Sequence, residues 1–267
     1  MGIIGHSSRN NVIPLIDGAE TFRSMVQAIR TATNPSHYIY FANWRMDLTF
    51  ELIPGDQSTT IWNLVTDANK RNVELRAMVS KHVGHTITGW GISQVSNWRF
   101  NHYKLFSNLK NGFIIPDENF LWFGSHHQKL LIVKGEHGLI GFCGGIDFAE
   151  NRLTGSTGGS GSGSGSGGGA GILGSQHDVH CRIEGPAAWE LRRLFVERWE
   201  DHPDKPKGST LRGKNEPIPP ARGRMFVRIG RTYPNGTKYR SGIGKYQPGG
   251  LESARGSGYY SFAPNGA

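Results

Sequence analysis

His127 and Lys129 stand one residue apart in the run Ser125-His126-His127-Gln128-Lys129-Leu130-Leu131-Ile132-Val133. The run reads as a buried strand. A short turn at 134–138 follows, then a second strand that ends in the bend Gly141-Phe142-Cys143-Gly144-Gly145-Ile146-Asp147. Side chains of a strand alternate between faces. His127 and Lys129 are therefore expected on one face, and His126 and Gln128 on the other. An ammonium beside an imidazole suits a phosphate. The cation meets the charge that builds on the equatorial oxygens during attack. The imidazole can attack or move a proton near neutral pH, and a covalent step divides one hard displacement into two. Gly144 and Gly145 are expected to let backbone approach the phosphate. Asp147 reads equally as a brace for neighbouring backbone or as a plain turn residue.

The His-His-Gln-Lys run followed by Gly-Gly-Ile-Asp resembles the HxK motif of the phospholipase D superfamily. The likeness extends along the chain. Asn11-Val12-Ile13-Pro14-Leu15-Ile16-Asp17-Gly18 resembles the family's opening, and so does the run from Tyr38 to Trp44. His177-Asp178-Val179-His180, with Gly185-Pro186-Ala187-Ala188-Trp189, is similar to the element after the motif. Phe195 and Arg198-Trp199 look like the end of its helix. Arg231-Thr232-Tyr233 and 262–266 resemble the start of a second half. Two departures stand out. Lys134 occupies the motif's Asp position, and no second HxK run occurs, so the chain reads as the first half of a two-motif protein.

The resemblance implies an α/β fold, a mixed β-sheet flanked by helices on both faces. It implies a metal-free ping-pong reaction with no cofactor, passing through a phosphohistidine. It assigns His127 as nucleophile, Lys129 as phosphate clamp and Asp178 as the carboxylate accepting a hydrogen bond from His127. Gly144, Gly145 and His180 are the substrate-binding candidates, although packing is the plainer role for His180 and for His177. His126 faces away and reads as structural. Glu136, two residues on, reads either as a substitute for the missing carboxylate or as a partner for Lys134.

The elements around the motif follow from periodicity. Phe22, Met25, Val26 and Ile29 repeat at helical spacing, which predicts a helix over 17–32. Ile61, Leu64, Val65 and Ala68 predict a second over 60–71. Strands are expected at 38–44, 73–79 and 112–116, and helices at 97–109 and 187–199, the last ended by Pro203 and Pro206. Residues 224–230 read as one more strand, and beyond it 231–267 are Gly/Pro/Tyr/Arg-rich, lack helical periodicity and are assigned no structure. The alternation argues for a sheet covered by helices. Residues 80–97 form a polar loop in which His82 and His85 read as surface residues. Residues 155–175 are almost wholly Gly and Ser and are expected to form a flexible loop. Such a loop is cheap to lengthen, since closure entropy grows only logarithmically.

Two units are expected: a catalytic half over 1–202, and a basic Gly/Pro-rich tail over 203–267 leading toward a second half. The charge divides at the same place. The tail holds twelve Lys/Arg against three Asp/Glu, while the rest of the chain is neutral. A basic tail suits an anionic membrane surface or nucleic acid, although a solvated segment is the plainer reading. Cys143 and Cys181 read as small buried hydrophobes. No spacing resembles a metal site. No run reaches membrane-spanning length and no signal peptide is seen, so a cytoplasmic or peripheral-membrane place is expected. The expected substrate is a phospholipid or another phosphodiester. With one motif, three arrangements are open: a second-half polypeptide completes the site, a homodimer does, or the chain is an inactive or binding module. A nuclease is the alternative enzyme.

Overall fold

Tyr38-Ile39-Tyr40-Phe41-Ala42-Asn43 is rich in aromatic and β-branched residues, and it forms β2 at Tyr38–Asn43, buried along its whole length. The computed structural model describes residues 5–80, 104–117, 126–153 and 177–230, with two short strands at 232–234 and 259–261. The other sheet strands are β1 (Gly5–Ile16), β3 (Glu74–Ser80), β4 (Gly112–Asp117), β5 (Lys129–Gly135), β6 (Gly138–Gly144), β7 (Val179–Glu184) and β8 (Met225–Ile229). Their order across the sheet is β4-β3-β2-β5-β6-β7-β1-β8. The β2–β3 and β3–β4 pairs are parallel and the rest are antiparallel, so the sheet is mixed.

Two parallel connections need crossovers. The first is α2 (Ile61–Lys70), capped by the Thr60 side chain, which accepts from the Asn63 amide. Together with α1 (Asp17–Arg30) it covers one face. There Phe22, Met25, Val26, Ile61, Leu64 and Val65 bury Phe41, Leu131, Val133 and Phe142. The opposite face, with Tyr40, Leu130, Ile132 and Ile183, lies under α3 (Pro186–Asp201). Helices thus flank both faces, as the sequence predicts. An aromatic ladder of Tyr38, Tyr40, Phe195 and Trp199 runs from β2 into α3, with ring centroids 4.5, 4.7 and 5.8 Å apart. Each such pair contributes on the order of 1 kcal/mol beyond its buried area.

Four expectations change. First, β5 begins at Lys129, so residues 126–128 precede the strand. Second, Lys134 is a strand residue, opposite Tyr38 and Leu139, and the turn is shorter than expected, Glu136 and His137 before Gly138. Lys134 pairs with Glu216, whereas Glu136 accepts from the Thr33 hydroxyl at 2.6 Å. Third, a boundary at 202 cuts through packed structure. Leu211 and Ile229 belong to the core under α3, and β8 pairs with β1 at the sheet edge. Charge composition missed this because the segment's cations stay on its outer side while a few apolar residues anchor it. Fourth, the segment after 230 contains β9 (Thr232–Pro234) and β10 (Tyr259–Ser261), which pair antiparallel.

The Gly/Ser run, the loop holding His82 and His85, and most of the expected 97–109 helix lie outside the described residues. Among those described, no helix is long and apolar enough to cross a membrane.

Candidate functional site

Several chain segments meet at one end of the sheet. Asn43 at the end of β2 is opposite Lys129 at the start of β5, and Gly144 at the end of β6 is opposite His180 near the start of β7. Ile16, ending β1, is opposite Val179. The segments leaving β2 and β6 are then zipped together. The Arg45 amide donates to Asp147 Oδ1 at 3.0 Å, and the Asp47 amide donates to the Phe148 carbonyl at 2.8 Å. This register carries Trp44 over the start of β5.

Trp44 is the wall against which the pair converges. Its ring lies 5.3 Å from the His127 ring, and Lys129 Nζ sits 5.7 Å from its centroid. His127 is exposed, and Lys129 is buried beneath it. The expected sharing of one face therefore holds, although His127 sits just before the strand. Burial, helped by the neighbouring Lys129 cation, lowers the proton affinity of the His127 imidazole. Burial likewise lowers that of Lys129, with Asp147 opposing the shift.

Asp147 is the residue the sequence underrated. It is 1 % exposed, and its Oδ2 lies 3.0 Å from Lys129 Nζ. One oxygen thus faces the ammonium and the other holds the Arg45 amide. Burial pushes the Asp147 carboxyl up, and the ammonium works against that. The signal was available: Asp147 ends the glycine bend, three positions past Gly144, the last paired residue of β6.

Asp178 does not make the expected hydrogen bond to His127 among the described residues. Its Oδ2 lies 3.4 Å from Arg152 and its Oδ1 accepts from the Val179 amide at 2.8 Å. It acts on His127 through space, raising the imidazole's proton affinity. Asp17 holds this strand start in place. Its amide donates to the Asp178 carbonyl at 2.9 Å, and its carboxylate accepts from the Asp178 amide at 3.0 Å and contacts His177 Nδ1 at 2.9 Å. His177 is otherwise exposed. Asp17 adopts φ 57°, a left-handed conformation uncommon for a residue with a Cβ.

Gly144 and Gly145 have a different reason for being glycine than the one expected. A Cβ on Gly144 would stand 2.4 Å from the Val179 carbonyl, and one on Gly145 would stand 1.9 Å from Asp178 Oδ1. They let the start of β7 close onto the bend. His180 is buried beneath that closure, 1 % exposed, and its Nδ1 accepts from the Ile146 amide at 3.4 Å. Burial pushes its imidazole down to about 3, so it is neutral at ordinary pH. It underlies the site and does not line its surface. Arg152, which the sequence did not single out, adds a second fixed cation near His127 and Lys129.

His126 and Gln128 face the other way, as alternation predicts. His126 Nε2 lies 3.5 Å from Asp117, and Gln128 accepts from Arg198. Among the described residues no group of three or more His, Cys, Asp or Glu is arranged to hold a metal ion. Cys143 and Cys181 are free, half-buried and directly opposite each other across β6 and β7.

The chain has sequence relatives among phospholipid enzymes. It is 22% identical over 204 residues to cardiolipin synthase 1 of Staphylococcus aureus, covering 75% of this chain and 34% of that protein. It is 24% identical over 260 residues to phospholipase D alpha 1 of rice, covering 80% of this chain and 32% of that protein. The chain is thus a relative of the phospholipase D superfamily. It spans about a third of the length of these curated relatives. A phospholipase D family member, Nuc from Salmonella typhimurium, superposes with a TM-score of 0.43 at 14% identity, covering 72% of this chain and 95% of that one. No family model matches.

Proposed function

We propose that this chain supplies one half of a phospholipase D-type site that cleaves or transfers phosphodiesters. The observation that carries the reading is the convergence of an exposed imidazole and a buried ammonium on one tryptophan, with a carboxylate fixed behind the ammonium. Neutral His127 attacks the phosphorus, the bond to the leaving oxygen breaks, and that oxygen takes a proton from a second His. Lys129 and Arg152 meet the charge on the phosphate oxygens. Water then attacks the phosphohistidine and gives its proton to that second His, the phosphorus–nitrogen bond breaks and His127 is returned unmodified; an alcohol attacking in the same way completes a transfer.

The second His and Lys lie outside these 267 residues, in a second half-site or in another copy of this chain. A phospholipid is the favoured substrate, because the curated relatives are named as phospholipid enzymes. The basic segment after 202 supports the alternative, a nuclease.

The test is hydrolysis of bis-p-nitrophenyl phosphate and of a phosphatidylcholine analogue. Each is run with the chain alone across concentrations, and then with candidate partner halves. Turnover should carry phosphate on His127, detected by mass spectrometry after a quench that avoids acid. His127→Ala should abolish both the adduct and the turnover. Labelling at another residue would overturn the assignment. Cleavage of DNA with no action on lipid would favour the nuclease.

A further inference from the structure

His127 makes no side-chain hydrogen bond among the described residues, and it lies outside the β5 ladder, yet it is held against Trp44. What fixes it lies on the reverse side of the strand. The His126 amide donates to Ser80 Oγ at 3.3 Å, at the end of β3. His126 Nε2 lies 3.5 Å from Asp117 Oδ1, at the end of β4. Gln128 accepts from one arm of Arg198, and the other arm donates to Asp117 Oδ2 at 2.6 Å. Both neighbours of His127 are therefore tied, directly or through one guanidinium, to Asp117.

Asp117 is itself anchored. The Asp204 amide donates to His202 Nδ1 at 3.1 Å, which leaves the proton on Nε2, and that nitrogen lies 3.2 Å from Asp117 Oδ1. Asp117 is 0 % exposed, and His202 and Arg198 are buried with it. Burial alone would raise its carboxyl. The His202 hydrogen bond, with the charges of His126 and Arg198, outweighs burial and holds it well below the usual carboxylate range. Arg198 and His202 sit at the end of α3, which the aromatic ladder clamps to β2.

We propose that Asp117, Arg198 and Gln128 are positioning residues, a clamp behind the motif that sets the direction of His127. The inference rests on the reading of His127 as the reacting group, but its physical claim stands apart from turnover. The cluster lies behind the strand, on the side opposite His127 and Lys129. Its effect passes through two peptide units, and backbone held at both flanks leaves His127 few ways to point.

The test is spectroscopic and uses the full chain. In the wild type, the Cε1 proton of His127 should show a nuclear Overhauser contact with the Trp44 indole, and the ring should titrate below the ordinary imidazole value. Asp117→Asn and Gln128→Ala should each weaken that contact severalfold and move the titration toward the ordinary value. Gln128→Ala leaves the Asp117–Arg198 pair in place, so it decides the matter if Asp117→Asn does not fold. Where the chain turns over, kcat should fall by about 100-fold in either folded variant, with KM within about twofold, as expected for a misaimed group. An unchanged contact and titration in folded Gln128→Ala overturns the clamp. A clamp that behaves as expected in a chain that cleaves no diester and forms no phosphohistidine, even with candidate second halves supplied, overturns the proposed reaction instead.

Discussion

At the scale of single residues, the site is a balance of a few charges in a half-buried space. His127 is useful as a nucleophile only when neutral, and burial beside Lys129 lowers its proton affinity. The acid limb of kcat/KM should therefore lie below the ordinary imidazole value of about 6.5. Loss of rate as pH falls follows protonation of the attacking nitrogen. Arg152 contributes to that lowering, so Arg152→Gln should move the limb to higher pH and raise KM for a diester. A pH–rate profile checks the first effect, and a limb that stays put removes Arg152 from the site. Asp147 carries a stability prediction. Asp147→Ala strands a buried ammonium, and breaking one side of such a pair costs about 3–5 kcal/mol. Urea unfolding should show the loss. Asp147→Asn should cost less, since an amide oxygen can still accept from Arg45. His127, Lys129 and their shared face were legible from spacing alone. Asp147 as a partner and the Asp178–Arg152 contact were not, because each depends on which strand end lies beside which.

At the scale of elements, Lys134 shows how a departure from a motif is absorbed. The residue sits in β5, half exposed, and its ammonium meets Glu216, which also accepts from the Tyr38 hydroxyl. Lys134→Asp would put two carboxylates in that place. We expect a loss on the order of 1 kcal/mol, as for a partly exposed pair. The double exchange Lys134→Asp with Glu216→Lys should restore most of it. A thermodynamic cycle from denaturant midpoints measures the coupling, and additive single effects would show that the two side chains do not interact. Nothing local in the sequence predicts this pair, since 82 positions separate its members. The helices α1, α2 and α3 were legible, because each buries a face whose period can be read directly. The start of β5 was misplaced by a few residues. Its apolar run begins at Leu130, and pairing with β2 and β6 decides where the ladder stops.

At the scale of the whole molecule, the segment from 203 to 230 belongs to the sheet domain. It supplies Leu211, Glu216 and Ile229, and it completes the sheet edge with β8. A chain ending at residue 202 should lose cooperative unfolding and expose apolar surface. Calorimetry and dye binding should report a broadened transition and stronger fluorescence than the full chain gives. An equally sharp transition at the same temperature would restore the boundary at 202. Charge counting placed that boundary because composition averages over a segment, while packing depends on the few residues that turn inward.

Taken alone, the sequence determined the layered α/β class, the helices that cover the sheet and the pairing of His127 with Lys129. Those follow from short-range periodicity, in which a side chain's direction is set by its own strand or helix. The tertiary structure alone decided that Trp44 walls the site, that Asp147 faces Lys129 and that Arg152 takes Asp178. It also decided that Asp117 braces the reverse side. These are contacts between strand ends far apart in the chain, and their distances exist only once eight strands have chosen their order and register.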